Sequence, residues 1–173
     1  MQVLIEKARL IRLFVTDVDG VLSDGKLYLG NQGEELKNFH IFDGLGLKWL
    51  QQSGIGVAII TGRSSKIVTH RAQELGITQL VQGREDKYQA LDELRQKANI
   101  NYEQIAYMGD DLPDLGAIRR AGLGMTVANG HAFVKQHADW QSQCEGGSGA
   151  VREACEFILR AQQKLDPILQ EYL

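Results

Sequence analysis

Short apolar runs alternate with helix-like stretches along most of this 173-residue chain. Each run ends in glycine or polar residues, which is typical of strands buried on both faces of a sheet. Strands that alternate with helices predict a parallel sheet covered by helices. The strand-like runs are 11–15, 56–60, 79–83, 105–108, 123–127 and a short one near 138–140. The helix-like stretches are 45–52, 65–75, 87–97, 112–121 and 150–164. We predict a Rossmann-like α/β fold in a single domain spanning residues 1–173.

Composition excludes several classes of protein. A net charge of −3 and a pI of about 5.8 give no basic surface for nucleic acid. No apolar segment approaches the roughly 20 residues that a membrane helix needs, and the N-terminus is too polar for a signal peptide. The two cysteines, Cys144 and Cys155, lack Cys-x-x-Cys spacing. We therefore expect a cytoplasmic protein that binds neither zinc, nucleic acid nor a membrane.

The first strand-like run ends in Asp17 and Asp19, with Gly20 next. In parallel sheets, the loops at the carboxyl ends of strands open onto a crevice where ligands bind. Two carboxylates there repel each other, and their burial costs several kcal/mol unless a cation compensates. Oxygen ligands favour a hard divalent cation, and Mg²⁺ is our prediction. The alternative is a pair of solvated loop acids.

Three further strand ends carry polar groups. Thr61 and Gly62 follow the second run, where a hydroxyl and backbone N–H groups can donate to an anionic oxygen. Lys87 begins a helix-like stretch after the third run. The fourth run is followed by the acids Asp110, Asp111 and Asp114. Taken alone, each has an ordinary alternative: a plain Thr-Gly turn, or a solvated lysine on a helix.

In chain order, these motifs resemble those of the haloacid dehalogenase-like phosphohydrolases. The resemblance implies the fold of that superfamily, with Asp17 as the nucleophile that forms an aspartyl-phosphate and Asp19 as the general acid and base. It implies Mg²⁺ bound by the Asp17 carboxylate, the Asp19 backbone carbonyl and Asp110. Thr61 and Lys87 would bind phosphoryl oxygens. Asp111 and Asp114 would not bind the metal directly but would orient a metal-bound water or Lys87.

Residues 26–41 read as a β-hairpin with a glycine-containing turn at 31–33, forming a flap over about 24–42. Many haloacid dehalogenase-like enzymes carry a cap domain, and this chain has only the small hairpin in its place. A lone two-stranded hairpin is marginally stable, so hairpins that meet across subunits would be stabilised. We expect a homo-oligomer, and the resemblance implies a homotetramer. The alternative is a solvated hairpin on a monomer.

Three segments, 39–46, 60–63 and 146–153, resemble one capless family, the 3-deoxy-D-manno-octulosonate 8-phosphate phosphatases. The resemblance implies hydrolysis of that sugar acid phosphate to the free sugar acid and phosphate, in lipopolysaccharide biosynthesis. The substrate-binding residues that it implies are Asp19, His40, Ile41, Phe42, Asp43, Gly44, Lys48, Gly62, Arg63, Arg71 and Lys87. Of these, Lys48, Arg63 and Arg71 would form a cationic clamp for an anionic sugar. Arg71 as a solvated helix residue is the alternative.

Other functions stay open at this stage. The same machinery serves a phosphatase of a nonulosonate 9-phosphate, a sialic-acid-type precursor. A non-catalytic oligomerisation module could lose the nucleophile or the acid, although Asp17 and Asp19 are both present. A receiver-type phospho-switch also uses acids, a threonine and a lysine, without rapid turnover.

The C-terminal segment 165–173 is apolar, and Pro167 predicts an interruption of the last helix. The resemblance implies that this tail docks into the open pocket of a neighbouring subunit as a lid. An ordinary frayed terminus is the alternative.

Overall fold

A computed structural model describes all 173 residues and contains a six-stranded sheet in which every neighbouring pair is parallel. The strands are β1 (Leu13–Thr16), β2 (Tyr28–Leu29), β3 (Glu35–Leu36), β4 (Gly56–Ile60), β5 (Gln79–Val81), β6 (Ile105–Met108), β7 (Leu123–Thr126) and β8 (Trp140–Gln141). The helices are α1 (Gln2–Arg9), α2 (Ile41–Gln52), α3 (Lys66–Glu74), α4 (Lys87–Ala98), α5 (Leu115–Arg120), α6 (Ala132–Lys135), α7 (Ala150–Ala161) and α8 (Leu165–Gln170). The order across the sheet is β5-β4-β1-β6-β7-β8.

Helices cover both faces of the sheet, as the sequence predicts. Strand β1 is central, and its Val15 pairs with Ala58 of β4 on one side and Tyr107 of β6 on the other. Phe14 packs into a cluster of 29 buried residues with α1, α2, α3 and α7. Val15 faces the opposite way, into a cluster of 14 buried residues with α4, α5 and α6. Burial on both faces is the reason that the strands are continuously apolar.

Helices α1 and α2 differ at their starts from the sequence-based prediction, and the short helix α6 was not predicted. No helix was predicted before β1, but α1 lies there, and Ala8 is its one fully buried residue. Helix α2 begins at Ile41 rather than Leu45, because His40 caps it: the His40 Nδ1 accepts from the Phe42 N–H at 3.3 Å. Glycine disfavours helix formation, and because of Gly44 the sequence-based prediction began the helix at the next residue, Leu45.

The end of the chain also differs from its prediction. Helix α7 ends at Ala161, and the chain turns at Gln163, which has a φ of 57°. Pro167 does not make this break, because it lies in the first turn of α8, where its missing N–H costs nothing. The tail is therefore a short helix, and Tyr172 accepts a hydrogen bond from Trp49 Nε1 of α2 in the same chain at 3.4 Å.

The insertion between β1 and α2 is a hairpin with strands of only two residues, β2 and β3. They pair antiparallel, Tyr28 with Leu36 and Leu29 with Glu35. Leu27, Leu29 and Leu36 are exposed on it. None of the helices has both the length and the apolar character needed to cross a bilayer.

Candidate active site

Polar residues from four strand ends converge at one edge of the sheet. Asp17 directly follows β1, Thr61 follows β4, and Asp110 lies just beyond β6, while Lys87 begins α4 after β5. These strands are neighbours, in the order β5-β4-β1-β6. A cavity of about 460 Å³ opens there. It is lined by Asp17, Asp19, Thr61, Gly62, Arg63, Glu85, Lys87 and Pro113.

Lys87 is a buried cation between two carboxylates rather than a solvated helix residue. Its Nζ lies 2.8 Å from Asp17 Oδ2 and 2.7 Å from Asp114 Oδ1, and its side chain is 5 % exposed. Burial lowers the pKa of Lys87, but the charges of Asp17 and Asp114 outweigh it and raise that pKa above its usual value. Lys87 therefore stays positive and fixed beside Asp17.

Asp114 is fully occupied by protein donors. Its Oδ1 accepts from Lys87 and from the buried Tyr107 hydroxyl, each at 2.7 Å. Its Oδ2 accepts from the backbone N–H groups of Asp110 and Asp111, at 3.2 and 3.3 Å. Burial, followed by the charge of Asp114, keeps the pKa of Tyr107 well above its usual value, so the hydroxyl stays a donor. Asp114 thus orients Lys87 and the loop after β6, with no oxygen left for another ligand.

The site has the charge and the donors that suit a divalent cation. Carboxylate oxygens of Asp17, Asp110 and Asp114 lie within 4.8 Å of one another. Three carboxylates against the single ammonium of Lys87 leave two negative charges uncompensated. The buried Asp17 Oδ1 has no hydrogen-bond partner. A hard cation with oxygen ligands would satisfy both the charge and this oxygen.

Without such a cation, two of these carboxyls have raised pKa values. Burial, and then the charge of Asp114, raises the pKa of Asp17 from 3.8 to about 7. The same two causes, followed by the charge of Asp17, raise the pKa of Asp110 from 3.8 to about 7. Lys87 opposes both shifts. A bound divalent cation would add to Lys87 and keep both groups ionised near neutral pH.

Gly20 allows the loop after β1 to approach Asp110 closely. It has a φ of 97°, in the left-handed region that glycine adopts without strain. A Cβ at this position would lie 2.1 Å from Asp110 Oδ2. Any larger residue would therefore displace the Asp110 carboxylate from Asp17.

Asp19 belongs to a set of four charged side chains, of which the sequence had not indicated Glu35 and Lys37. Its Oδ1 accepts from Lys37, and its Oδ2 lies 3.9 Å from Arg63 Nε. Glu35 accepts from the same two cations, at 3.1 Å from Lys37 and 3.3 Å from Arg63. Glu35 and Lys37 flank the exposed Leu36, and side chains two residues apart share one face of a strand. That alternation is the signal by which the sequence analysis could have found them.

The beginning of α2 lies outside the lining of this cavity. His40 caps the helix, and Ile41 and Phe42 are exposed. Lys48, farther along α2, is exposed as well. The structure therefore does not bring these four predicted substrate contacts into the cavity with Asp17.

Three more predicted contacts lie on the inner side of α2 and on α3. Asp43 is buried, and its Oδ1 accepts from the Arg152 N–H at 2.7 Å at the start of α7. Gly44 lets Arg71 pass, since a Cβ there would lie 2.6 Å from Arg71 Nη2. The Arg71 guanidinium also lies over the Phe39 ring at 5.8 Å. The structure thus groups Gly44 with Arg71, and ties Asp43 to α7.

The fold and this site define the class of haloacid dehalogenase-like hydrolases, and a family model of that description matches residues 75–153. The 3-deoxy-D-manno-octulosonate 8-phosphate phosphatase KdsC of Yersinia pestis is 49 % identical over 162 residues, which cover 94 % of this chain and 87 % of that protein. The chain therefore belongs to the family of 3-deoxy-D-manno-octulosonate 8-phosphate phosphatases. KdsC of Escherichia coli K12 is also 49 % identical, over 94 % of this chain and 86 % of that protein.

Solved structures agree with this assignment. The 3-deoxy-D-manno-octulosonate 8-phosphate phosphatase of Moraxella catarrhalis, in complex with magnesium, phosphate and KDO, superposes with a TM-score of 0.98 at 48 % identity. That match covers 100 % of this chain and 99 % of the other. The cobalt-bound Haemophilus influenzae phosphatase gives a TM-score of 0.89 at 42 % identity, covering 92 % and 93 %.

Proposed function

We propose that this protein hydrolyses 3-deoxy-D-manno-octulosonate 8-phosphate to the free sugar acid and phosphate, with Mg²⁺ as cofactor, in lipopolysaccharide biosynthesis. The observation that carries the proposal is the cavity that joins Asp17, Asp19, Thr61 and Lys87 beside Asp110. The near-half identity to KdsC proteins favours this substrate over a nonulosonate 9-phosphate.

In the first half of the reaction, the Asp17 carboxylate attacks phosphorus and forms an aspartyl-phosphate. The bond between phosphorus and the sugar oxygen breaks, and the Asp19 carboxyl gives its proton to that oxygen. Lys87, 2.8 Å from Asp17, and Thr61 would bind the phosphoryl oxygens. The free sugar acid then leaves, and Asp19 is left as a carboxylate.

In the second half, water attacks the phosphorus of the aspartyl-phosphate. The Asp19 carboxylate takes a proton from that water, and the bond between phosphorus and the Asp17 oxygen breaks. Inorganic phosphate leaves, and both acids return to their starting states. The exposure of Asp19 in the cavity suits a group that must meet both the sugar oxygen and water.

We assign the metal ligands to the carboxylates of Asp17 and Asp110 and the backbone carbonyl of Asp19. When bound, Mg²⁺ supplies charge neutralisation and polarises the phosphoryl group. Asp114 holds Lys87 in place, and we assign Asp111, which is exposed beside it, to orienting water. The hydrogen bonds that fill both oxygens of Asp114 support its supporting role rather than direct ligation.

We assign recognition of the sugar acid to Asp19, Gly62, Arg63 and Lys87 in the cavity. To these we add a second group on α2 and α3: His40, Ile41, Phe42, Asp43, Gly44, Lys48 and Arg71. Arg63 supports the first assignment, because its side chain is 47 % exposed at the cavity, where an anion can reach it. The contact between Arg71 and Gly44 supports treating the second group as one unit.

We further propose a homotetramer of single-domain subunits, each spanning residues 1–173, located in the cytoplasm. The exposed leucines of the hairpin, Leu27, Leu29 and Leu36, support an interface formed by the flap over 24–42. The apolar tail 165–173, with exposed Leu169 and Tyr172, would cover the pocket of a neighbouring subunit. The unpaired cysteines, Cys144 and Cys155, suit a reducing compartment.

The test is phosphate release from a panel of sugar phosphates, with Mg²⁺ and after chelation. We expect turnover of 3-deoxy-D-manno-octulosonate 8-phosphate that requires the cation and exceeds turnover of a nonulosonate 9-phosphate. The Asp17→Asn variant keeps the shape and removes the nucleophile, so its activity should be lost while its circular dichroism is unchanged. Absence of turnover in the wild type, or near-normal turnover in Asp17→Asn, would contradict the proposal.

A further inference from the structure

Lys37 stands apart from the rest of the hairpin in its burial. The hairpin is largely exposed, and Leu36 beside Lys37 is among its exposed apolar residues. The Lys37 side chain is only 1 % exposed, whereas Lys26 at the other end of the hairpin is 74 % exposed. Burying an ammonium costs free energy unless carboxylates compensate it. The partners of Lys37 therefore explain why it is held inside.

Those partners form a closed ring of alternating charge. Lys37 contacts Asp19 and Glu35, and Arg63 approaches the same two carboxylates. The two cations are not equivalent, because Arg63 is 47 % exposed and Lys37 is not. Lys37 binds Asp19 Oδ1 directly, whereas Arg63 lies 3.9 Å from Oδ2, beyond hydrogen-bond distance.

Because of this difference, Arg63 and Lys37 can have separate roles. Arg63 can turn toward an anionic substrate without releasing Asp19, because Lys37 still holds one carboxyl oxygen. The other oxygen, Oδ2, has no close donor and remains available for proton transfer. Glu35 also contacts the Lys37 ammonium, at 3.1 Å, and helps to keep it in place. The ring also fixes to the site a hairpin whose two-residue strands are too short to be stable alone.

We propose that Lys37 is a positioning residue that aims the Asp19 carboxyl at the leaving oxygen, with Glu35 as its support. This inference rests on the proposed function, in which Asp19 gives a proton to that oxygen. The proton transferred is that of Asp19, and Lys37 keeps its own. The hairpin thereby contributes to catalysis from outside the strand ends that carry the other catalytic groups.

The test compares two substrates that differ in one atom. One is 3-deoxy-D-manno-octulosonate 8-phosphate, and the other is its analogue with sulfur as the bridging atom. A thiolate leaves without a proton, so the sulfur ester does not need Asp19 as an acid. In Lys37→Met, kcat/KM should fall about 100-fold for the oxygen ester, within the range of general acid catalysis, and less than about fivefold for the sulfur ester. Lys26→Met is the matched control and should change neither value.

Equal falls for the two esters in folded Lys37→Met would overturn the inference, since general loss of structure or of positive charge affects both alike. Should Lys37→Met fail to fold, Glu35→Gln decides: its side chain is partly exposed, and the oxygen ester should again lose more than the sulfur ester. An equal fall there overturns the inference too. Failure of the proposed function is a separate result, seen as no phosphate release from the oxygen ester by the wild type.

Discussion

Replacing Asp110 by asparagine should stabilise the metal-free protein above pH 7, although it removes a proposed metal ligand. Burial, then the charges of Asp114 and Asp17, raises the pKa of Asp110 from 3.8 to about 7. Between these values the folded state keeps a proton that the unfolded chain has released. The contribution of Asp110 to the free energy of unfolding therefore falls as pH rises from about 4 to about 7, and its loss is complete above that window.

The size of the effect follows from the pKa. A rise from 3.8 to about 7 corresponds to about 4 kcal/mol, at 1.36 kcal/mol per pKa unit. Asp110 is only partly buried, and its neighbours Asp17 and Asp114 share the repulsion, so we expect about 2–4 kcal/mol. For a domain of this length, that raises Tm by about 5–15 °C.

The assay is thermal unfolding of both proteins with a chelator, at pH 5 and pH 8. Asp110→Asn should melt higher than the wild type at pH 8, and the difference should shrink at pH 5. Adding Mg²⁺ should raise the Tm of the wild type and have little effect on the variant, because a ligand is missing. Asp111→Asn is the matched control, since this exposed neighbour lies outside the carboxylate cluster. Equal Tm values for Asp110→Asn and the wild type at pH 8, or an equal gain in Tm for Asp111→Asn, would show that ionised Asp110 does not destabilise the folded state.

Three further predictions concern the supports of the site. Lys87→Met leaves Asp17 and Asp114 without their buried partner, so the free energy of unfolding should fall by about 3–5 kcal/mol and turnover should be lost, whereas exposed Lys97→Met should change neither. Gly20→Ala should weaken Mg²⁺ binding at least about tenfold by calorimetry, because its Cβ would displace Asp110; unchanged affinity would refute this. Removing residues 169–173, which keeps the buried Leu165, should change KM or product release if the tail covers a neighbouring pocket, and identical kinetics would exclude that role.

The sheet was predictable because its strands are buried on both faces. The bounds of β4 and β6 agree with their apolar runs, since nothing polar interrupts them. Helix α1 was missed because it has only eight residues, too few for its apolar positions Leu4, Ile5 and Ala8 to repeat as a helical pattern. The start of α2 was misplaced because a histidine cap and a helical glycine, His40 and Gly44, resemble a loop.

The strand-end residues of the site could also be predicted. Each follows its strand within a few positions, so the local sequence indicates where it lies in the fold. Contacts between residues that are far apart in the sequence could not be predicted. Lys37 meets Asp19 across 18 positions only because the hairpin bends back to the loop after β1. Asp43 meets Arg152 across 109 positions, and its surroundings depend on how α2 packs on α7. Local sequence patterns do not indicate such pairings.

The proposed reaction requires that Asp17 attacks phosphorus. An acid-quenched reaction with 3-deoxy-D-manno-octulosonate 8-phosphate, digested and analysed by peptide mass spectrometry, identifies the residue that attacks. We predict a phosphoryl group on the peptide that contains Asp17, assigned to that side chain by fragmentation. A phosphoryl group found on Asp19, Asp110 or any other residue would show that Asp17 is not the nucleophile.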